Sequence, residues 1–112
     1  MKTLITTLNS KFIHKSLSLR LLYVACKERH DIDFKEYTIK DDLNHIVDDL
    51  IQQNLDVLCL SVHIWNVDLI QELCHLLKQK QPNLIIVIGG PEVMYDIDHF
   101  LDTFEIDILW RG

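Results

Sequence analysis

The sequence predicts a three-layer, doubly wound α/β fold built on a five-stranded parallel sheet of order 2-1-3-4-5. Three observations carry that expectation. The runs Asp56 to Ser61 and Leu84 to Gly89 are apolar almost throughout, as strands buried on both faces of a helix-covered parallel sheet are. Strand-like and helical patterns alternate along the whole chain, at spacings that suit right-handed crossovers. The second strand candidate is the most polar, which assigns it to a sheet edge and favours this flavodoxin-like order.

Taken in order, Lys2 to Leu8 is a Thr- and Ile-rich strand ending at the turn-forming pair Asn9-Ser10. A helix is expected from about His14 or Ser16 to His30, with Leu17, Leu21, Val24 and Ala25 on its apolar side. Asp33 to Ile39 mixes Phe34, Tyr37 and Ile39 with Lys35, Glu36 and Thr38, the half-buried edge strand. Asp41 and Asp42 offer capping oxygens to a second helix whose Leu43, Ile46, Val47, Leu50 and Ile51 follow the i, i+3, i+4, i+7, i+8 spacing.

Beyond the third strand, Asn66 is placed to cap a helix carrying Ile70, Leu73, Cys74 and Leu77, which ends at Gln81-Pro82-Asn83. The fourth strand stops at Gly89-Gly90-Pro91. Two residues without Cβ atoms let backbone come close to a ligand or another segment there, and Pro91 ends regular structure. Ile97, Phe100, Leu101 and Phe104 describe a short helix, and Ile106 to Trp110 a fifth strand.

Residues 1–112 read as one domain, 48% hydrophobic and 25% charged, with a formal net charge of −6. The dispersed lysines and arginines offer no basic face, so no nucleic-acid partner is expected. No apolar run reaches the length of a membrane span, and the apolar N-terminal segment is too short for a secretory signal, so the expected location is cytoplasmic. Cys26, Cys59 and Cys74 each sit within an apolar pattern and read as buried reduced thiols; neither metal nor catalytic residues are assigned.

In the 2-1-3-4-5 order the topological switch lies between strands one and three. The loops Asn9 to His14 and Ser61 to Asn66 should therefore face one crevice, flanked by Gly89-Gly90-Pro91. A phosphoacceptor receiver would need acidic residues where Asn9-Ser10 and Ser61 stand. A dinucleotide fold would need a Gly-x-Gly-x-x-Gly run after strand one, where no glycine occurs. A flavodoxin's phosphate loop is only partly supplied by Thr6, Thr7, Asn9 and Ser10.

Ser61 and Gly89-Gly90, at the ends of strands three and four, resemble the Ser-x-(Leu/Thr/His) and Gly-Gly elements of cobalamin (vitamin B12)-binding domains. The string Leu8 to Leu17, with Ile64-Trp65-Asn66 and Gly89-Gly90-Pro91-Glu92-Val93, further resembles the N-terminal domain of cobalamin-dependent radical S-adenosylmethionine enzymes, a group often likened to anaerobic magnesium-protoporphyrin IX monomethyl ester oxidative cyclases.

The resemblance implies that cobalamin's nucleotide tail enters beside Ser61, Gly89 and Gly90, while the corrin ring rests on the loops holding Asn9, Ser10, Lys11, His14, His63, Trp65 and Pro91. It also implies a downstream radical barrel holding a 4Fe–4S cluster and S-adenosylmethionine, this chain being the first domain of such an enzyme. In mutases and methionine synthases the first loop reads Asp-x-His-x-x-Gly, the histidine binding cobalt. Here Asn9, Lys11 and His14 fall at those three positions, and a lysine ammonium has no lone pair to give. A base-off, histidine-off corrinoid is expected. The alternative is a free-standing flavodoxin-like domain binding a flavin or a protein partner at the same rim.

Overall fold

The computed structural model describes residues 2–9, 31–90, 93 and 96–109. The expected helix between the first two strands, with Cys26, lies outside the described residues. Five strands form one parallel sheet, β1 (Lys2–Asn9), β2 (Asp31–Thr38), β3 (Val57–Ser61), β4 (Ile85–Gly89) and β5 (Ile108–Leu109). Their order is β2-β1-β3-β4-β5, as the sequence predicts, with the polar strand at one edge. Helices α1 (Leu43–Gln52), α2 (Val67–Lys80) and α3 (Ile97–Thr103) connect strands β2 to β5.

Because side chains alternate across a strand and the strands pair in register, the sheet resolves into two faces. On one, Leu4, Leu58, Leu60, Ile86 and Ile88 are all essentially inaccessible. They form a single cluster with Ile46, Val47 and Leu50 of α1, Ile70, Leu73, Cys74 and Leu77 of α2, and Phe100 of α3. The helical spacing of those residues is thus spent on one surface. On the opposite face Thr3, Ile5 and Thr7 of β1 are buried, but Val57, Cys59 and Val87 are only half-buried. Ile85 and Ile108, in register with them, remain 39% and 51% exposed.

Element boundaries follow from local hydrogen bonding. Asp42 alone caps α1, its carboxylate accepting from Asn44 N–H, while Asp41 turns back to accept from Thr38 N–H at 2.9 Å. The fifth strand begins later than the apolar pattern predicts. Asp107 N–H donates to Ile86 O at 2.9 Å, but Ile86 N–H donates to Asp107 Oδ2 at 2.8 Å, a carboxylate that also accepts from Lys78 Nζ at 2.6 Å, so a side chain supplies one side of the pairing before Ile108. Leu101, expected on the core side of α3, is exposed, and only Phe100 and the following Phe104 reach the core. At the other end of the sheet Lys2 N–H donates to Asp56 and Lys2 Nζ to Gln53 O, which fastens β1 to the turn before β3.

Two adjacent threonines on β1 meet opposite fates. Thr7 Oγ1 donates to Ser61 O at 2.8 Å and accepts from Asn66 Nδ2. Thr6 Oγ1, on the helix-covered face, is buried without a hydrogen-bond partner among the described residues. Removing an unsatisfied buried hydroxyl is favourable, and removing a bonded one is costly. Thr6→Val should raise stability by about 1 kcal/mol, whereas Thr7→Val should lower it by about 1–2 kcal/mol, both read as shifts of the urea midpoint at constant m-value.

Candidate functional site

The parallel register brings the strand ends to one rim: Ser61 pairs with Thr7 on one side and with Gly89 on the other. Asn9 closes β1 two residues beyond Thr7, opposite Thr38. From there the chain between β3 and α2 forms a tight knot of five residues. Val62 N–H continues the ladder by donating to Gly89 O at 2.7 Å, and Asn66 N–H closes a turn onto His63 O at 3.0 Å.

The sequence points to Asn66 as a helix cap, and the structure corrects this. Its side chain makes no capping bond to α2. Instead the buried carboxamide spans the rim. Oδ1 accepts from His63 N–H at 2.8 Å, and Nδ2 faces Leu8 O at 2.9 Å, Thr7 Oγ1 at 3.2 Å and Ser61 O at 3.4 Å. Two strands and the loop that follows β3 are held by one amide, and the cap is left to the Asn66 carbonyl, which accepts from Ile70 N–H.

Around this strut stand the aromatic groups. Trp65 Nε1–H donates to Leu8 O at 3.0 Å, and the indole lies flat against the His63 ring, centroids 4.5 Å apart at 4°. His63 Nε2 is 3.0 Å from Ser61 Oγ. Burial holds the imidazole below its ordinary pKa and therefore neutral under physiological conditions. No residue from Ser61 to Asn66 carries a formal charge at neutral pH, and Gly89 and Gly90 add none. Beside them Gly90 adopts φ +112°, and an added Cβ there would lie 2.6 Å from Val62 O and 3.1 Å from Ser61 Oγ. Its missing side chain thus admits this chain's own loop and brings Ser61 against the second glycine.

Beneath the rim lies the half-covered sheet face. Cys59 and Val87 stand two residues before Ser61 and Gly89, on the same side, and Val57 and Ile85 two residues before those. The result is an apolar strip along β3 and β4, headed by the Ser61 hydroxyl. Cys59 is a half-buried thiol, more open than the sequence predicts, and Cys74 is the buried one, its thiol pushed up to about 12 chiefly by burial.

Of the residues singled out in the sequence, Ser61, His63, Trp65, Gly89 and Gly90 converge here, and Asn9 ends the neighbouring strand. Ser10, Lys11, His14 and Pro91 lie outside the described residues. The sequence reads Asn66 as a cap within the crevice loop and Thr7 only as part of an incomplete phosphate loop, whereas it does not single out Cys59 and Val87 as parts of the site. Strand parity counted back from Ser61 and Gly89 would have found the last two. Among the described residues no group of His, Cys, Asp and Glu is arranged to hold a metal ion, and no helix is long and apolar enough to cross a membrane.

Residues 3–112 match the B12 binding domain. The chain belongs to the B12-binding domain family. Over 58 residues it is 34% identical to the cobalamin-dependent radical SAM methyltransferase TokK of Streptomyces tokunonensis, a match covering 51% of this chain and 8% of that protein. A crystal structure of a cobalamin-binding protein from Desulfitobacterium hafniense superposes on 99% of this chain with a TM-score of 0.68 at 18% identity, which shows the shared fold. This chain covers 53% of that one. In this B12-binding domain the serine and glycine elements therefore meet at the carboxyl rim, with an apolar strip running down from them.

Two outcomes test this geometry. Gly90→Ala should cost about 3 kcal/mol, because it combines a strained positive φ with a clash against backbone; chemical denaturation reads it. His63 should also leave a mark on the pH dependence of stability. The unfolded chain takes up a proton near the ordinary imidazole value of about 6.5, before the folded state does, so His63 favours folding above that value. That contribution is lost as pH falls through the lowered folded pKa. Denaturation midpoints measured against pH should show this loss, and His63→Phe should remove that part of the curve.

Proposed function

We propose that this domain binds cobalamin in a base-off, histidine-off form, the nucleotide tail lying along the β3–β4 strip with its base at Ser61. The observation that carries the reading is the asymmetry of the sheet. Among the described residues, one face is sealed by three helices, whereas on the other Val57, Cys59 and Val87 are only half-buried beneath the Ser61 hydroxyl. A benzimidazole tail is flat and apolar with one acceptor nitrogen, so it requires an apolar surface ending in one donor. The donor set fits that group: Ser61 supplies the hydroxyl, Cys59 and Val87 the floor, and the uncharged Ser61–Asn66 loop suits a neutral base.

Trp65, stacked on His63 at the rim, together with Asn9, Ser10, Lys11, His14 and Pro91, would meet the corrin and its amide arms. Lys11 at the position of the cobalt-binding histidine motivates the histidine-off form, since an ammonium cannot ligate. When bound, the corrinoid supplies a cobalt centre able to take up and release a methyl group. The likeness to a cobalamin-dependent radical SAM methyltransferase supports a parent enzyme in which a barrel domain holds the 4Fe–4S cluster and S-adenosylmethionine. It favours methyl transfer over oxidative cyclisation as the parent's reaction.

Incubation with hydroxocobalamin followed by gel filtration should give a corrin absorbance co-eluting with the protein. Ser61→Ala should weaken binding about five- to tenfold, the worth of one hydrogen bond. Val87→Trp should abolish it by filling the strip while leaving the far-ultraviolet circular dichroism unchanged. A wild-type protein that takes up no corrinoid at high micromolar concentration, and binds a flavin instead, overturns the reading in favour of the flavodoxin-like alternative.

A further inference from the structure

The Ser61 hydroxyl carries one proton, and two acceptors compete for it. One is His63 Nε2, 3.0 Å away in a buried contact whose direction depends on the imidazole tautomer. The other is an acceptor nitrogen on a bound tail. If Nε2 is the bare nitrogen, Ser61 spends its proton inside the protein and presents the strip with lone pairs only, which repel an acceptor. If Nε2 carries the proton, the imidazole donates to Ser61 Oγ and the serine proton is free to point outward. The surroundings fix the ring without using Nε2 for anything else. Its flat face is held by Trp65 at 4.5 Å, and its backbone N–H is held by Asn66 Oδ1 at 2.8 Å. The indole against it is itself tied to Leu8 O.

We propose that His63 is the positioning residue of the tail subsite: with its proton on Nε2 it donates to Ser61 Oγ and turns the single Ser61 proton toward the acceptor nitrogen of the tail. The inference rests on the cobalamin reading above and adds to it a determinant of selectivity. The subsite favours corrinoids whose tail ends in a neutral acceptor base over those that lack the base. His63 touches Ser61 and acts through it.

The test compares hydroxocobalamin with cobinamide, which has the corrin ring but no base, using equilibrium dialysis on the wild-type chain, His63→Phe and His63→Gln. Phenylalanine keeps a ring against Trp65 and removes the donor. It should weaken hydroxocobalamin about five- to tenfold and leave cobinamide unchanged. Glutamine, whose amide N–H reaches close to the Nε2 position, should restore most of the loss. In protein labelled with ¹⁵N at histidine, the His63 Nε2 resonance of the hydroxocobalamin complex should be that of a protonated ring nitrogen, with Nδ1 bare. Equal hydroxocobalamin affinity in His63→Phe, an equal loss for cobinamide, or a bare Nε2 in the complex overturns the inference while the cobalamin reading stands. Wild-type protein that binds neither corrinoid overturns both.

Discussion

Everything at the carboxyl rim depends on one buried side chain, the Asn66 carboxamide. A buried amide left unpaired is expensive, so the surrounding backbone must come to it. Here that means two consecutive residues of β1, the last residue of β3 and the first polar residue of the loop all fall within reach of one group. The consequence is rigidity where a loop would otherwise be free. His63 cannot move without stripping Oδ1 of its donor. Trp65 is tied to the same Leu8 carbonyl from its ring nitrogen. Among the described residues, a site assembled from three strand ends thereby acquires a fixed geometry from neutral hydrogen bonds, with no ion pair whose strength would vary with salt.

The two sheet faces divide the labour. The cluster joining Leu58, Leu60, Ile86 and Ile88 to α1, α2 and α3 carries the hydrophobic stabilisation, since fully burying each such side chain is worth roughly 1.5–3 kcal/mol. With that face sealed, the opposite face of the same two strands is free to keep Val57, Cys59 and Val87 partly open without endangering the fold. Alternation makes the arrangement economical: each residue of the strip is the immediate neighbour of a core residue, so the core holds the strip flat. Gly90 completes it from above. Lacking a Cβ, it lets Ser61 Oγ and the Val62 backbone close against the end of β4.

Much of this is legible in the sequence, and the parts that are not share a physical cause. Strand order follows from hydropathy: two fully apolar strands must be central, and the charged Asp31–Thr38 strand must be at an edge. The serine and glycine at the strand ends stand out because polar and Cβ-less residues interrupt apolar runs. Asn66 misleads because an asparagine before a helix ordinarily caps it, and only the three-dimensional nearness of Leu8 and Thr7 shows the stronger claim on its amide. The start of β4 likewise gives no hint that Asp107, 21 residues on, supplies the side-chain acceptor for Ile86 N–H. Half-burial of Cys59 and Val87 is invisible for a different reason. An apolar strand reads the same whether its second face is covered by helix or left open, and that difference lies in what packs on it, not in the strand.

The loop after β3 shows how the fold treats an apolar exposure at the rim. Ile64 is 77% exposed and Trp65 46%, side by side at the rim, where water contact with so much apolar area is unfavourable. Were this a mobile turn, the two side chains could fold back on the protein and relieve that cost. The turn from His63 to Asn66 prevents it, because the indole is clamped by its ring nitrogen and by the imidazole beneath it. A rigid apolar step beside a buried hydroxyl is therefore held ready for a large, flat, mostly apolar partner. The same clamp that keeps Trp65 outward keeps His63 Nε2 on Ser61, so the surface proposed to meet the ring and the hydroxyl proposed to meet the tail are parts of one rigid unit.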